Sequence, residues 1–197
     1  MKIIRFDAFP DSHAAYVPDG FFTDNAVLMA DSCWRPHRRP LFVPTEGFWL
    51  CGIRVAVRIS RLGKAIAPKF ANRYYDGFCL VNYLVREADA EQFSTPDCMI
   101  DDSLIHGEWL PMPEDNSTEF SFSIQGLSET SANSALKSFT IPVDYLDRAL
   151  SILSHEATFK NGDVIILPQS LARYVPHPDM HITADVDGKT VLDFKIK

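Results

Sequence analysis

The run Leu50-Cys51-Gly52-Ile53-Arg54-Val55-Ala56-Val57-Arg58-Ile59-Ser60 constrains this chain more than any other stretch. Ile53, Val55, Val57 and Ile59 alternate strictly with Gly52, Arg54, Ala56 and Arg58. That period of two predicts a β-strand with one apolar face and one face of small residues and guanidiniums. A turn at Arg61-Leu62-Gly63-Lys64 follows. Pro68 and Gly77 then punctuate a predicted helix over 67–77, with Phe70, Arg73 and Tyr74 on one side. The period returns to two in Phe78-Cys79-Leu80-Val81-Asn82-Tyr83-Leu84-Val85, an apolar strand interrupted by one amide and predicted to be buried on both faces.

The remaining elements are short. Lys2–Phe6 reads as a strand, Asp19-Gly20 as a turn, and the Pro- and Arg-rich 31–44 as a loop whose Arg35, His37, Arg38 and Arg39 are solvated rather than facing an anion. Phe120–Ile124 alternates as a strand, and Gln125-Gly126 turns it into a hairpin partner over 127–131. Val143 to His155 is an amphipathic helix with Val143, Leu146, Leu150 and Leu153 as its buried stripe. Lys160–Asp163 turns into the strand Val164–Leu167. Asp187-Gly188 sits between two alternating runs, 182–186 and 190–196, a strong hairpin signal. Many short strands and few helices give a β-rich α+β class, and 197 residues without repeats or linkers give a single domain, 1–197.

Composition removes several functions. A net charge of −7 argues against general nucleic-acid binding. No apolar run approaches the roughly 18 residues of a membrane-spanning helix, and charges interrupt the first residues as they would not in a signal peptide. Cys33, Cys51, Cys79 and Cys98 are dispersed without a CxxC pair, which suits reduced thiols in a cytoplasmic protein and not a zinc site.

Several segments together resemble the fumarylacetoacetate hydrolase family. They are Arg58-Ile59-Ser60-Arg61-Leu62-Gly63-Lys64, Phe70–Asp76, Asp101-x-Ser103 with Gly107, Trp109 and Pro111, and the closing hairpin. The resemblance implies a mixed β-sheet roll with a few short helices, usually dimeric. It also implies chemistry on oxo-acids at a divalent metal, usually magnesium or manganese, held by Glu-x-Glu on one strand and Asp on the next. The matching positions here read Gly52, Arg54 and Asn82. That exchange alters the local formal charge by about four units, each worth roughly 4 kcal/mol at about 4 Å and an effective dielectric of about 20. No metal or other cofactor is therefore expected. The family's His–Glu pair keeps its histidine as His13 while Tyr16 stands for the glutamate; its lysine reads Cys98, expected to be a buried inert thiol, and its second threonine reads Gln169. Pro168 and Ala172 replace loop glycines, so that loop is expected to leave the family conformation.

These departures favour a non-catalytic member of the family, binding a small carboxylate or serving as a structural subunit in a homodimer. The candidate ligand residues are Arg54, with Arg86 nearby, Asn82 and Gln169; Arg54 instead forms a structural salt bridge, with Asp101 as its partner, in the competing reading. The alternative function is an active metal-independent hydrolase, decarboxylase or isomerase of acylpyruvate-like oxo-acids, working through His13 and Asp101.

Overall fold

The computed structural model describes residues 1–8, 18–86, 95–127 and 135–197. In chain order, β1 (Ile3–Phe6) leads to α1 (Gly20–Asp24), β2 (Ala26–Met29), a 3-10 turn at Asp31–Cys33 and β3 (Trp34–Pro36). The long β4 (Trp49–Ile59) and β5 (Tyr75–Arg86) flank a 3-10 helix at Pro68–Arg73. A further 3-10 helix (Thr95–Met99), β6 (Leu104–His106), β7 (Leu110–Pro111), β8 (Glu119–Gln125) and β9 (Ser138–Thr140) precede α2 (Val143–Glu156). The chain closes with β10 (Val164–Tyr174), β11 (His181–Val186) and β12 (Lys189–Lys195).

The strands form an eight-stranded mixed sheet ordered β2-β1-β10-β4-β5-β6-β3, with β7 on β5, and a four-stranded antiparallel sheet ordered β12-β11-β8-β9. β1 runs parallel to β10 and β3 parallel to β6; every other ladder is antiparallel. The main core lies on one face of the large sheet, where Ile53, Val55, Val57 and Ile59 meet Phe122 and Phe139 of the small sheet and Leu146 and Leu150 of α2. The opposite face carries a smaller core of Ala56, Cys79, Val81, Tyr83 and Leu104 under Met29 and Cys33. β4 is thus buried on both sides, as β5 is. The β-rich α+β roll expected from sequence is the observed architecture, and α2 buries the expected stripe of Val143, Leu146, Leu150 and Leu153.

Several local expectations change. The helix placed over 67–77 is a 3-10 helix that stops at Arg73, and Gly77 belongs to β5. Gly77 marks close packing, not a helix end: a Cβ there would stand 2.9 Å from the Leu110 carbonyl oxygen of the neighbouring strand. Phe70 is 40% exposed. The segment after Leu167 is no loop; β10 continues through Pro168 to Tyr174, absorbing its irregular residues in register shifts between Ile166 and Ser170 and between Ser170 and Ala172. Asp19-Gly20 opens α1 rather than a simple turn. The 31–44 segment is not wholly solvated. Arg35 is buried in β3, where it donates to Asp102 at 3.1 Å and to the carbonyls of Arg39 and Pro40. The hairpin partner expected over 127–131 falls, beyond Leu127, outside the described residues. The β11–β12 hairpin forms as predicted, with Asp187 and Gly188 both at positive φ (51° and 75°).

Candidate functional site

β4 and β5 pair in unbroken register from Trp49–Arg86 to Arg58–Gly77. Residues directly opposite in such a ladder point to the same face. Gly52 is opposite Tyr83, and Arg54 is opposite Val81, while Asn82 is opposite Ile53. Gly52, Arg54 and Tyr83 therefore share the smaller-core face, and Asn82 points into the main core on the other side. The three positions matched to a metal triad do not converge. Asn82 is fully buried; its Oδ1 accepts a 2.6 Å hydrogen bond from Tyr174 Oη, and its amide lies 3.8 Å from Cys51 Sγ. Burial pushes the Cys51 thiol up to about 12 and the Tyr174 phenol well above its usual value. This is a neutral polar cluster inside the core.

Arg54 sits at the centre of the other face. Its side chain is 3% exposed and its Nη1 donates to the Phe6 carbonyl at 2.8 Å. The same Nη1 lies 3.5 Å from Asp7 Oδ1, so its acidic partner is Asp7 and not Asp101. Arg5, 1% exposed, binds that carboxylate with two hydrogen bonds, from Nε at 2.9 Å and Nη2 at 3.3 Å. The Arg54 guanidinium carbon lies over the Tyr83 ring, 4.8 Å from its centroid. Burial pulls its pKa below the usual value, opposed by Tyr83 and Asp7. Its Nε is buried and has no hydrogen-bond partner among the described residues. Across the β4–β10 ladder, Ser170 is in register with Arg54 and half-buried.

The other candidates lie apart. Arg86 ends β5 on the Asn82 side, exposed, with its guanidinium 5.4 Å from the Trp49 ring, so it is not beside Arg54. Gln169 is half-buried within the first register shift of β10; Ser170, not Gln169, reaches the Arg54 row. Asp101 is exposed in a turn. His13 lies outside the described residues. Cys98 is partly exposed rather than buried, and burial raises its pKa all the same, with Arg5 opposing. An open cleft of about 550 Å³ lined by Asp19, Asp144, Asp147, Arg148 and His155 runs along α2, on the far side of the large sheet from Arg54.

Arg5, Asp7, Tyr83 and Ser170 were not singled out from sequence. A single strand's alternation shows which of its residues share a face, but not which face of the next strand joins them; that needs the ladder register. A divalent metal requires several oxygen donors, normally carboxylates. Among the described residues no group of three or more His, Cys, Asp or Glu side chains is placed to hold one. Gly52, Arg54 and Tyr83 supply no carboxylate and one buried cation, and the nearby Asp7 carboxylate is already held by Arg5 and Arg54, so these residues do not make the donor set a divalent ion needs.

The topology is a roll of the fumarylacetoacetate hydrolase type, and the chain has the fold of solved proteins from that family. A Yersinia pestis CO92 protein provisionally placed in the family matches with a TM-score of 0.74 at 17% identity, covering 100% of this chain and 92% of the other. A 5-carboxymethyl-2-hydroxymuconate delta-isomerase from Mycobacterium smegmatis matches at 0.74 and 16% identity over 99% of this chain and 76% of the other. A maleylpyruvate hydrolase from Sphingobium sp. SYK-6, in complex with manganese(II) and pyruvate, matches at 0.69 and 14% identity over 99% and 70%. No protein-family model matches the sequence, and no curated protein is significantly similar to it. Among the described residues no helix is long and apolar enough to cross a membrane.

Proposed function

We propose that this chain is a non-catalytic protein of the fumarylacetoacetate hydrolase fold that holds a small carboxylate on Arg54. The observation that carries this reading is the Arg54 Nε, buried without an acceptor among the described residues while Nη1 is tied to Phe6 and Asp7. An unmet donor on a buried guanidinium is costly, and a carboxylate meets such an edge with paired, charge-assisted hydrogen bonds. The structural neighbour that carries manganese and pyruvate supports a small oxo-acid as the ligand class for this fold. Arg54 supplies the positive charge, so the ligand needs no ion. Tethered to Phe6 and Asp7, it offers no group able to exchange protons with a substrate near neutral pH.

Thermal unfolding with oxalate or pyruvate, each with and without Mg²⁺ or Mn²⁺, tests the reading. A ligand at about 100 times its dissociation constant adds roughly 2.7 kcal/mol, or about 5–11 °C at roughly 2–4 °C per kcal/mol. The expected result is a shift with acid alone that Arg54→Lys abolishes. A shift that needs metal, or turnover of an acylpyruvate without it, overturns the reading in favour of an enzyme. No shift under any condition leaves a structural role, for which homodimer formation measured by light scattering is the next test.

A further inference from the structure

We infer that Tyr83 makes the Arg54 site selective for planar carboxylates over tetrahedral oxyanions of equal charge. This rests on the carboxylate reading above and names the residue that sets its specificity. Tyr83 is 6% exposed, and its ring lies over Gly52: a Cβ on Gly52 would stand 2.5 Å from Tyr83 Cζ and 2.7 Å from Cε1. The ring fills the space where a side chain at position 52 would be, and its face lies against the Arg54 guanidinium at 4.8 Å. The guanidinium carbon therefore has an aromatic face on one side of it. Nη1 is held by Phe6 and Asp7, which leaves the Nε edge for a ligand.

An anion reaching that edge must approach within the guanidinium plane. A carboxylate does so with both oxygens coplanar. Sulfate or phosphate also offers two oxygens in the plane, but its remaining oxygens project above and below. On the Tyr83 side they meet the negative face of the aromatic quadrupole. The same face that attracts the cation repels an anionic oxygen beside it, so the ring adds selectivity and not merely bulk.

The test compares oxalate with sulfate, both dianions at neutral pH, at fixed ionic strength. Each is titrated by thermal shift into the wild-type chain, Tyr83→Phe and Tyr83→Val. Wild type and Tyr83→Phe, which keeps the ring, are expected to prefer oxalate. Tyr83→Val is expected to lower the ratio of sulfate to oxalate half-saturation by roughly tenfold, the scale of one lost aromatic contact. Should Tyr83→Val fail to fold, Tyr83→Leu, bulkier and still without a ring, makes the same comparison. A purely structural Tyr83 would lower the melting temperature of the ring-less variants and leave that ratio unchanged, and this result overturns the inference alone. Absence of any oxalate shift in the wild-type chain overturns the carboxylate reading and this inference together.

Discussion

Gly52→Ala is the smallest change that probes the central ladder. The added methyl would fall against Tyr83, 2.5 Å from Cζ and 2.7 Å from Cε1, well inside van der Waals contact. The ring has little room to retreat, being 6% exposed with the Arg54 guanidinium carbon over it. Overpacking of this kind costs about 1–3 kcal/mol. Gly52 has no positive φ, so alanine is not strained there and recovers about 0.4–1 kcal/mol by restricting the unfolded chain. The net expectation is a loss of up to about 2.5 kcal/mol, read as a lower urea midpoint with an unchanged m-value. In a Tyr83→Val background the ring is gone and only the favourable entropy term remains. Gly52→Ala should then be neutral or slightly stabilising, which gives a coupling of about 1–3 kcal/mol in the double-mutant cycle. Equal costs of Gly52→Ala in the two backgrounds would refute the claim that Tyr83 occupies the space above residue 52.

Four other expectations follow from the same geometry. Tyr174→Phe removes the donor to the buried Asn82 oxygen and should cost about 1–3 kcal/mol in urea unfolding, whereas Tyr174→Phe combined with Asn82→Leu should recover much of it because neither partner is left unmet. His37 and His106 both have pKa values lowered first by burial; the unfolded chain therefore binds more protons, and stability should fall as pH drops below about 6.5 toward the folded-state values. His106→Phe keeps a ring against Trp34, now 4.8 Å away and nearly parallel, and should flatten that pH dependence in melts taken from pH 7 to 5. In the native protein Cys98 should alkylate before Cys51 and Cys79, which are buried with raised pKa values; mass spectrometry showing Cys51 labelled first would contradict the packing.

What could be read from the sequence depended on how local each signal was. The β4 alternation, the α2 stripe and the Asp187-Gly188 hairpin are set by neighbours within a few residues, and each formed where expected. The fold type was legible because scattered motifs such as Arg61–Lys64 and Asp101-x-Ser103 could be matched together along the chain. The site was only half legible. Arg54 was singled out as the unusual residue on its strand, but its partners, Phe6 at the end of β1 and Asp7 just past it, lie about fifty positions away. Asn82 was grouped with it because it matched the metal-binding aspartate of the family it resembles; the register puts Tyr83 on that face instead, a difference of one residue that reverses the face. Gly77 was misread because one residue type serves two purposes: it ends helices, and it also lets strands such as β5 and β7 approach closely.

The parallel pairing of β1 with β10 reaches beyond the site. Ile3 is in register with Val164, and the Lys2 backbone N–H donates to Asp163 at 2.7 Å, so the first strand is completed by residues 161 positions later. Contacts this distant in sequence slow folding, because the long loop must close before the pairing repays it. On a ribosome, Ile3, Ile4 and Phe6 can pair early with β2, but the other edge of β1 stays open until β10 has been made. Until then β1 has one open edge, and the strand that stands between it and β4, and so sets the Phe6 carbonyl beside Arg54, is missing. The Arg54–Phe6 contact is thus among the last parts of the molecule to be assembled, and its formation reports that β1 and β10 have paired.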